Sequence, residues 1–182
     1  VLNHDELKKL EPSITDKVIK GLLAPSCGII NPFELVVASM ENAMDNGVKL
    51  HLLEEVKSIN KKDNKFIVKT NKSSYETKYV INCAGVHSDE VSEMVNEKYF
   101  TIKPRSGEYF VLDHFDNNYV KHVLFNVPSS KGKGVLVSPT TNYNYLVGPS
   151  SEYVDDKEDV STDKETLDLV KQNAYSLVDN LR

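Results

Sequence analysis

A chain of 182 residues can hold one sizeable core or two small lobes, and its 40% hydrophobic and 27% charged residues are ordinary for a soluble globular domain. The net charge of −5 argues against nucleic-acid binding by general electrostatics, and no apolar run approaches the roughly 20 residues of a membrane helix. Two distant cysteines, Cys27 and Cys83, in a chain rich in Lys, Glu and Asp point to a reducing, cytoplasmic setting rather than a disulfide framework.

Residues 5–10 read as a short helical turn ended by Pro12. One or two strands are expected around Val18-Ile19 and Leu22-Leu23, before a loop at residues 25–32. Asn31 is placed to cap a helix with Pro32 in its first position, and Phe33, Val36, Val37, Met40 and Met44 recur at helical spacing over residues 32–45. Asn46-Gly47 stops that helix. Strands are expected at residues 48–52, 55–60 and 65–70, a turn at 72–76, and a returning strand at 78–83. A helix over residues 87–97 precedes four β-rich runs at 108–113, 119–127, 134–138 and 143–148, which read as antiparallel sheet. Residues 150–163 read as a surface loop, and Thr162 with Glu165 as a capping box before a final helix carrying Leu167, Val170, Ala174, Leu177 and Val178. The fold class is therefore α+β (mixed α/β), with a boundary between residues 97 and 98.

The stretch Lys78-Tyr79-Val80-Ile81-Asn82-Cys83-Ala84-Gly85 organises the rest. Tyr-Val-Ile suits a buried strand, Ala84-Gly85 offers almost no side chain where a backbone or ligand must come close, and Ser88 followed by Asp89 and Glu90 reads as a helix start. Strand, small-residue turn and helix start is how α/β proteins present ligands at strand ends, although most such turns only connect elements. No dinucleotide fingerprint and no P-loop occurs; Gly132-Lys133-Gly134 is followed by valine where a P-loop needs Ser or Thr. Lys131 and Lys133 read either as a flexible turn or as charge for an anionic substrate, and Arg105 either as a surface ion pair or as an anion binder. Cys27 and Cys83 read as small buried residues rather than reactive thiols. The five histidines show no metal-ligand spacing, and no serine lies in a G-x-S-x-G context.

Five segments, in register, resemble the FAD-dependent oxidoreductases of the D-amino-acid oxidase and glycerol-3-phosphate dehydrogenase superfamily. They are Gly28-Ile29-Ile30-Asn31-Pro32 with its helix, Glu55-Val56-Lys57-Ser58-Ile59, Val80 through Asp89, Pro104-Arg105-Ser106-Gly107-Glu108-Tyr109, and Lys131 through Thr140 with Leu146-Val147-Gly148-Pro149. The last of these resembles the anaerobic glycerol-3-phosphate dehydrogenase branch. The resemblance implies a partial FAD-binding domain over residues 1–97, a helix plus a β-meander, joined to an antiparallel-sheet substrate domain over 98–182 with a C-terminal helix.

It further implies that Val56 meets the adenine through its backbone, that Ala84 and Gly85 lie beside the AMP or pyrophosphate part of FAD, and that Gly28 lies near the flavin. Arg105, Lys131, Lys133 and Thr140 would face the substrate; no catalytic base is assigned. The implied reaction is oxidation of a small anionic secondary alcohol, sn-glycerol 3-phosphate first and L-2-hydroxyglutarate as the alternative, with a quinone or another acceptor taking the electrons. A non-catalytic binding domain is the rival from another class. The resemblance places the protein in the cytoplasm or peripherally at the inner face of the membrane. The chain starts at Val1 and lacks the family's N-terminal dinucleotide fingerprint and C-terminal flavin-side segment, so the expectation is a central fragment that neither holds FAD tightly nor turns over by itself.

Overall fold

The computed structural model describes residues 1–96, 98, 100–113, 119–128, 132, 134–179 and 181. In chain order its elements are β1 (Leu2–Asn3), α1 (His4–Leu10), β2 (Lys20–Gly21), α2 (Pro32–Asp45), β3 (Val56–Lys62), β4 (Lys65–Thr70) and β5 (Ser74–Thr77). A 3-10 turn (Gly85–His87) leads into α3 (Ser88–Glu93). Then come β6 (Arg105–Ser106), β7 (Phe110–Leu112), β8 (Leu124–Phe125), β9 (Leu136–Pro139), β10 (Tyr145–Gly148), β11 (Glu152–Tyr153) and α4 (Lys164–Ala174).

The residues divide into two compact units. The first comprises Val1–Ala38, Arg105–Glu152 and Val160–Arg182, the second Ser39–Pro104 and Tyr153–Asp159. This cut differs from a single boundary after residue 97: the first 38 residues group with the β-rich part, and residues 153–159 group with the meander.

In the first unit a four-stranded antiparallel sheet has the order β7-β10-β9-β8. α4 lies against β10, and Val137, Tyr145 and Val147 of the sheet join Val120, Val135, Val170, Ala174, Leu177 and Val178 in one buried cluster. α4 is capped by Asp163, whose carboxylate accepts from the Thr166 backbone N–H at 2.8 Å; the Thr162–Glu165 box is not formed, and the cap sits one residue later. At the end of β10 the Gly148 φ is +147°, and a Cβ there would stand 2.7 Å from the Glu108 carbonyl oxygen. No other residue fits that approach without a shift. Glu11, 2% exposed, ends α1 and accepts from the Lys121 backbone N–H at 3.0 Å and from His122 Nδ1 at 2.5 Å.

In the second unit β3, β4 and β5 form an antiparallel meander. β3 runs on to Lys62, so the connection to β4 tightens to Asp63-Asn64, with Asp63 at φ +53°. Residues expected as a turn at 72–76 instead supply β5, because Tyr75 finds Val68 as its cross-strand neighbour and pairing overrides weak propensity.

α2 spans the expected residues, with the Asn31 side chain accepting from the backbone N–H of Phe33 and Glu34 at 3.0 and 3.3 Å. Two expected strands are absent among the described residues, those at 48–52 and 78–83. Ile81 is 86% exposed, and β-branched propensity forms a strand only where a neighbouring strand completes the ladder. The helix expected over 87–97 shortens to α3. Residues 18–23 supply only β2, paired with β1. The 150–163 loop contributes β11, which pairs with β6. Cys27 and Cys83 are free and exposed, not buried, both standing outside any helix or strand.

Candidate functional site

The turn at Ala84-Gly85 is built from its neighbours' polar groups. The Asn82 amide accepts from the Ala84 N–H at 3.2 Å through Oδ1 and donates to the Ser88 carbonyl at 2.8 Å through Nδ2. The Ala84 carbonyl accepts from the His87 N–H at 3.1 Å, which starts the 3-10 turn. Gly85 sits at φ +57°, where L side chains are strained, and a Cβ placed on it would meet nothing within 4 Å. The turn is therefore conformationally committed to glycine and open on its outer side. Cys83, Ala84 and Gly85 are all exposed.

Below the turn lies a charge network. Asp89 is 4% exposed; its carboxylate accepts from the Ile102 N–H at 2.9 Å, the Glu90 N–H at 3.0 Å and Lys157 Nζ at 2.5 Å. Lys157 also donates to Glu90 at 2.7 Å. Hydrogen bonding to Lys157 and then to the Ile102 backbone holds the Asp89 carboxyl far below the ordinary carboxylate range, and the same two carboxylates raise the Lys157 ammonium. His87 faces Glu90 through Nδ1 at 3.1 Å and Glu158 through Nε2 at 2.7 Å. Only the imidazolium can donate from both nitrogens, and these two carboxylates, Glu90 first, raise its pKa above 6.5.

Val56 begins β3, opposite Thr70, with a bulge between it and Ser58. The residues leading into it are held by Glu54, whose carboxylate accepts from Thr70 Oγ1 at 2.6 Å and the Tyr75 hydroxyl at 2.9 Å and pairs with His51 Nδ1 at 3.2 Å. These bonds, that of Thr70 foremost, lower the Glu54 pKa against the opposing effect of burial. Val56, Ala84 and Gly85 thus share the second unit, which also holds a cavity of about 370 Å³ lined in part by Ile59, Phe66, Val80, Asn82 and Ser92.

The other candidate residues among those described, Gly28, Arg105 and Thr140, lie in the first unit. Gly28 is exposed in the loop before α2, with open space where a Cβ would stand. Arg105 is exposed on β6. Thr140 follows β9, bonds to Asn144 through both its hydroxyl and its backbone N–H, and lines a cavity of about 230 Å³ with Val120, Lys121, Pro139, Tyr143 and Tyr145. Arg105 is not among that cavity's lining residues. Lys131 and Lys133 lie outside the described residues. Among the described residues no group of three or more His, Cys, Asp or Glu is arranged to hold a metal, and no helix is long and apolar enough to cross a membrane.

Sequence reading missed Lys157, Glu158 and Glu11. No local pattern marks them, because their partners are 67 to 111 residues away in the chain.

Comparison with known proteins supplies the rest. The family model described as FAD dependent oxidoreductase (DAO) matches residues 1–182. A glycerol 3-phosphate dehydrogenase of Caloramator mitchellensis is 41% identical over 181 residues, covering 100% of this chain and 38% of that protein. An L-2-hydroxyglutarate dehydrogenase of Escherichia coli is 30% identical over 154 residues, covering 82% of this chain and 36% of the other. Among solved structures, the dithionite-reduced L-alpha-glycerophosphate oxidase of Mycoplasma pneumoniae with FAD bound superposes with a TM-score of 0.85 at 28% identity, over 100% of this chain and 48% of that one. The chain thus spans less than half the length of these relatives.

Proposed function

The chain belongs to the FAD dependent oxidoreductase (DAO) family, and from that premise we propose that it serves a flavoenzyme oxidising sn-glycerol 3-phosphate to dihydroxyacetone phosphate. The observation that carries the substrate is the 41% identity to a glycerol 3-phosphate dehydrogenase along the whole chain, against 30% over a shorter stretch for an L-2-hydroxyglutarate dehydrogenase.

The residues present fit a dinucleotide cofactor. An open turn of Ala84 and Gly85, with no side chain beyond Cβ, lets backbone approach a pyrophosphate, and the exposed Gly28 leaves equal room beside a flavin ring. We assign Val56, Ala84 and Gly85 to the adenine and pyrophosphate portion of FAD, Gly28 to the flavin end, and Arg105, Lys131, Lys133 and Thr140 to the anionic substrate. FAD, when bound, supplies the hydride acceptor for the carbinol carbon. The cationic side chains neutralise and orient the phosphate, a task suited to Arg as a bidentate donor and to Lys as a point charge. A quinone or another acceptor takes the electrons onward. The exposed free thiols support a reducing, cytoplasmic location, in solution or at the inner membrane face.

The test is the visible spectrum of the full-length protein under anaerobic conditions. Flavin bands that bleach on addition of glycerol 3-phosphate are expected. Bands that bleach only with L-2-hydroxyglutarate would transfer the substrate assignment, and a folded protein without flavin would refute the reading.

A further inference from the structure

We propose that Lys157 is a positioning residue for the cofactor: by clamping Asp89 and Glu90 it fixes the first turn of α3, and through it the Ala84-Gly85 turn. The inference rests on the assignment of Ala84 and Gly85 to FAD. No residue of the 3-10 turn is buried, so the turn has no buried apolar anchor of its own. It is tied to α3 instead: the Asn82 side chain donates to the carbonyl of Ser88, the first residue of α3, and His87, which precedes that helix, donates its N–H to the Ala84 carbonyl. Yet α3 has six residues, too few to persist alone, and its one buried side chain is a carboxylate, Asp89.

The clamp comes from far along the chain. Residues Tyr153–Asp159 group with the second unit although the segments on both sides of them group with the first. Lys157, its side chain 16% exposed, lies 68 residues from Asp89 and is the only lysine or arginine among the described residues bonded to Asp89 or Glu90. Without it Asp89, Glu90 and Glu158 are left as neighbouring like charges with His87 alone between two of them, and α3 loses its tie to the loop.

The His87 arm adds a pH dependence. The charged groups facing it are Glu90 on α3 and Glu158 on the 153–159 loop, with Lys157 sharing Glu90. Because the folded-state pKa of His87 is raised, this arm is fully present below its ordinary value and is lost as pH rises through the raised one. The Lys157–Asp89 arm persists over that range, because the Asp89 carboxyl is depressed and the lysine raised.

The experiment titrates FAD into the full-length apoprotein, following quenching of flavin fluorescence. Lys157→Met is expected to raise the Kd for FAD about tenfold, with a loss that grows from about pH 6 to about pH 9 as the His87 arm lets go, while Lys157→Arg restores most of the affinity. Glu158→Gln, at an exposed position that leaves folding intact, is expected to flatten the pH dependence. A Lys157→Met Kd within about twofold of wild type at both pH values, while Gly85→Val loses flavin, would overturn the clamp and leave the FAD assignment standing. Flavin fully retained by Gly85→Val would overturn the assignment itself. A pH slope unaltered in Glu158→Gln would remove the His87 arm.

Discussion

The cohesion within each of the two units rests on different physics. In the first, nine buried residues, from Val120 to Val178, form one cluster between sheet and helix, and burial of apolar area dominates its cohesion. In the second, Ile59 is the one buried hydrophobic residue among those described. Leu50, Leu52, Leu53, Tyr79 and Ile81 stand exposed there, while carboxylates make the long-range ties: Glu54 to Thr70 and Tyr75, Asp89 to Ile102 and Lys157. The first unit should therefore respond to changes of volume, and the second to changes of charge and pH. The residues assigned to adenine and pyrophosphate all lie in the polar-tied unit.

A matched pair of substitutions gives the largest contrast. Val178 is 0% exposed and Ile81 is 86% exposed. Val178→Asp buries an unpaired carboxylate and is expected to cost about 4 kcal/mol or more, whereas Ile81→Asp should change stability by less than about 0.5 kcal/mol. Denaturant unfolding of both variants checks this, and equal losses would erase the distinction between the units. Next, Gly148→Ala should cost about 3 kcal/mol, since its Cβ would meet the Glu108 carbonyl oxygen at 2.7 Å at a φ of +147°. In the second unit, Ile59→Ala is expected to cost about 2 kcal/mol, read as lost hydrogen-exchange protection in β3 and β4 with the first unit's amides unchanged.

The same contrast explains what could be read beforehand. α2 was legible throughout because its signals are local: Asn31 as cap, Pro32 in the first position and apolar residues at helical spacing. β4 was equally plain, an apolar run between polar turns. Residues 72–76 read as a turn because Ser74 to Thr77 becomes a strand only through its pairing with β4. The opposite error befell residues 78–83, whose Tyr-Val-Ile run has strand propensity but no ladder among the described residues. The site divides likewise. A glycine turn before a helix start at Ser88 was legible at Ala84-Gly85, since the turn and the first helical turn are contiguous. Lys157 and Glu158 were not, for a charge in a polar loop has no sequence signature of the partner it will meet 67 to 71 residues earlier, Asp89 and Glu90 for Lys157 and His87 for Glu158.

The smallest predicted effect tests the polar ties directly. Glu54→Gln keeps an acceptor oxygen for Thr70 and Tyr75 but removes the charge. The folded-state pKa of Glu54 is depressed below 4.5, so its contribution is present above the unfolded value and is lost as pH falls through the folded one. Near neutral pH the variant should therefore lower protection of the Glu55 and Asn71 amides, which bridge the start of β3 to the end of β4, by no more than about threefold. As the wild-type carboxylate itself becomes protonated in acid, the difference between the two proteins should vanish. A deficit in protection that persisted unchanged into acid would mean that shape rather than charge holds the entry to β3, and the second unit would then resemble the first more closely than its exposed apolar surface implies.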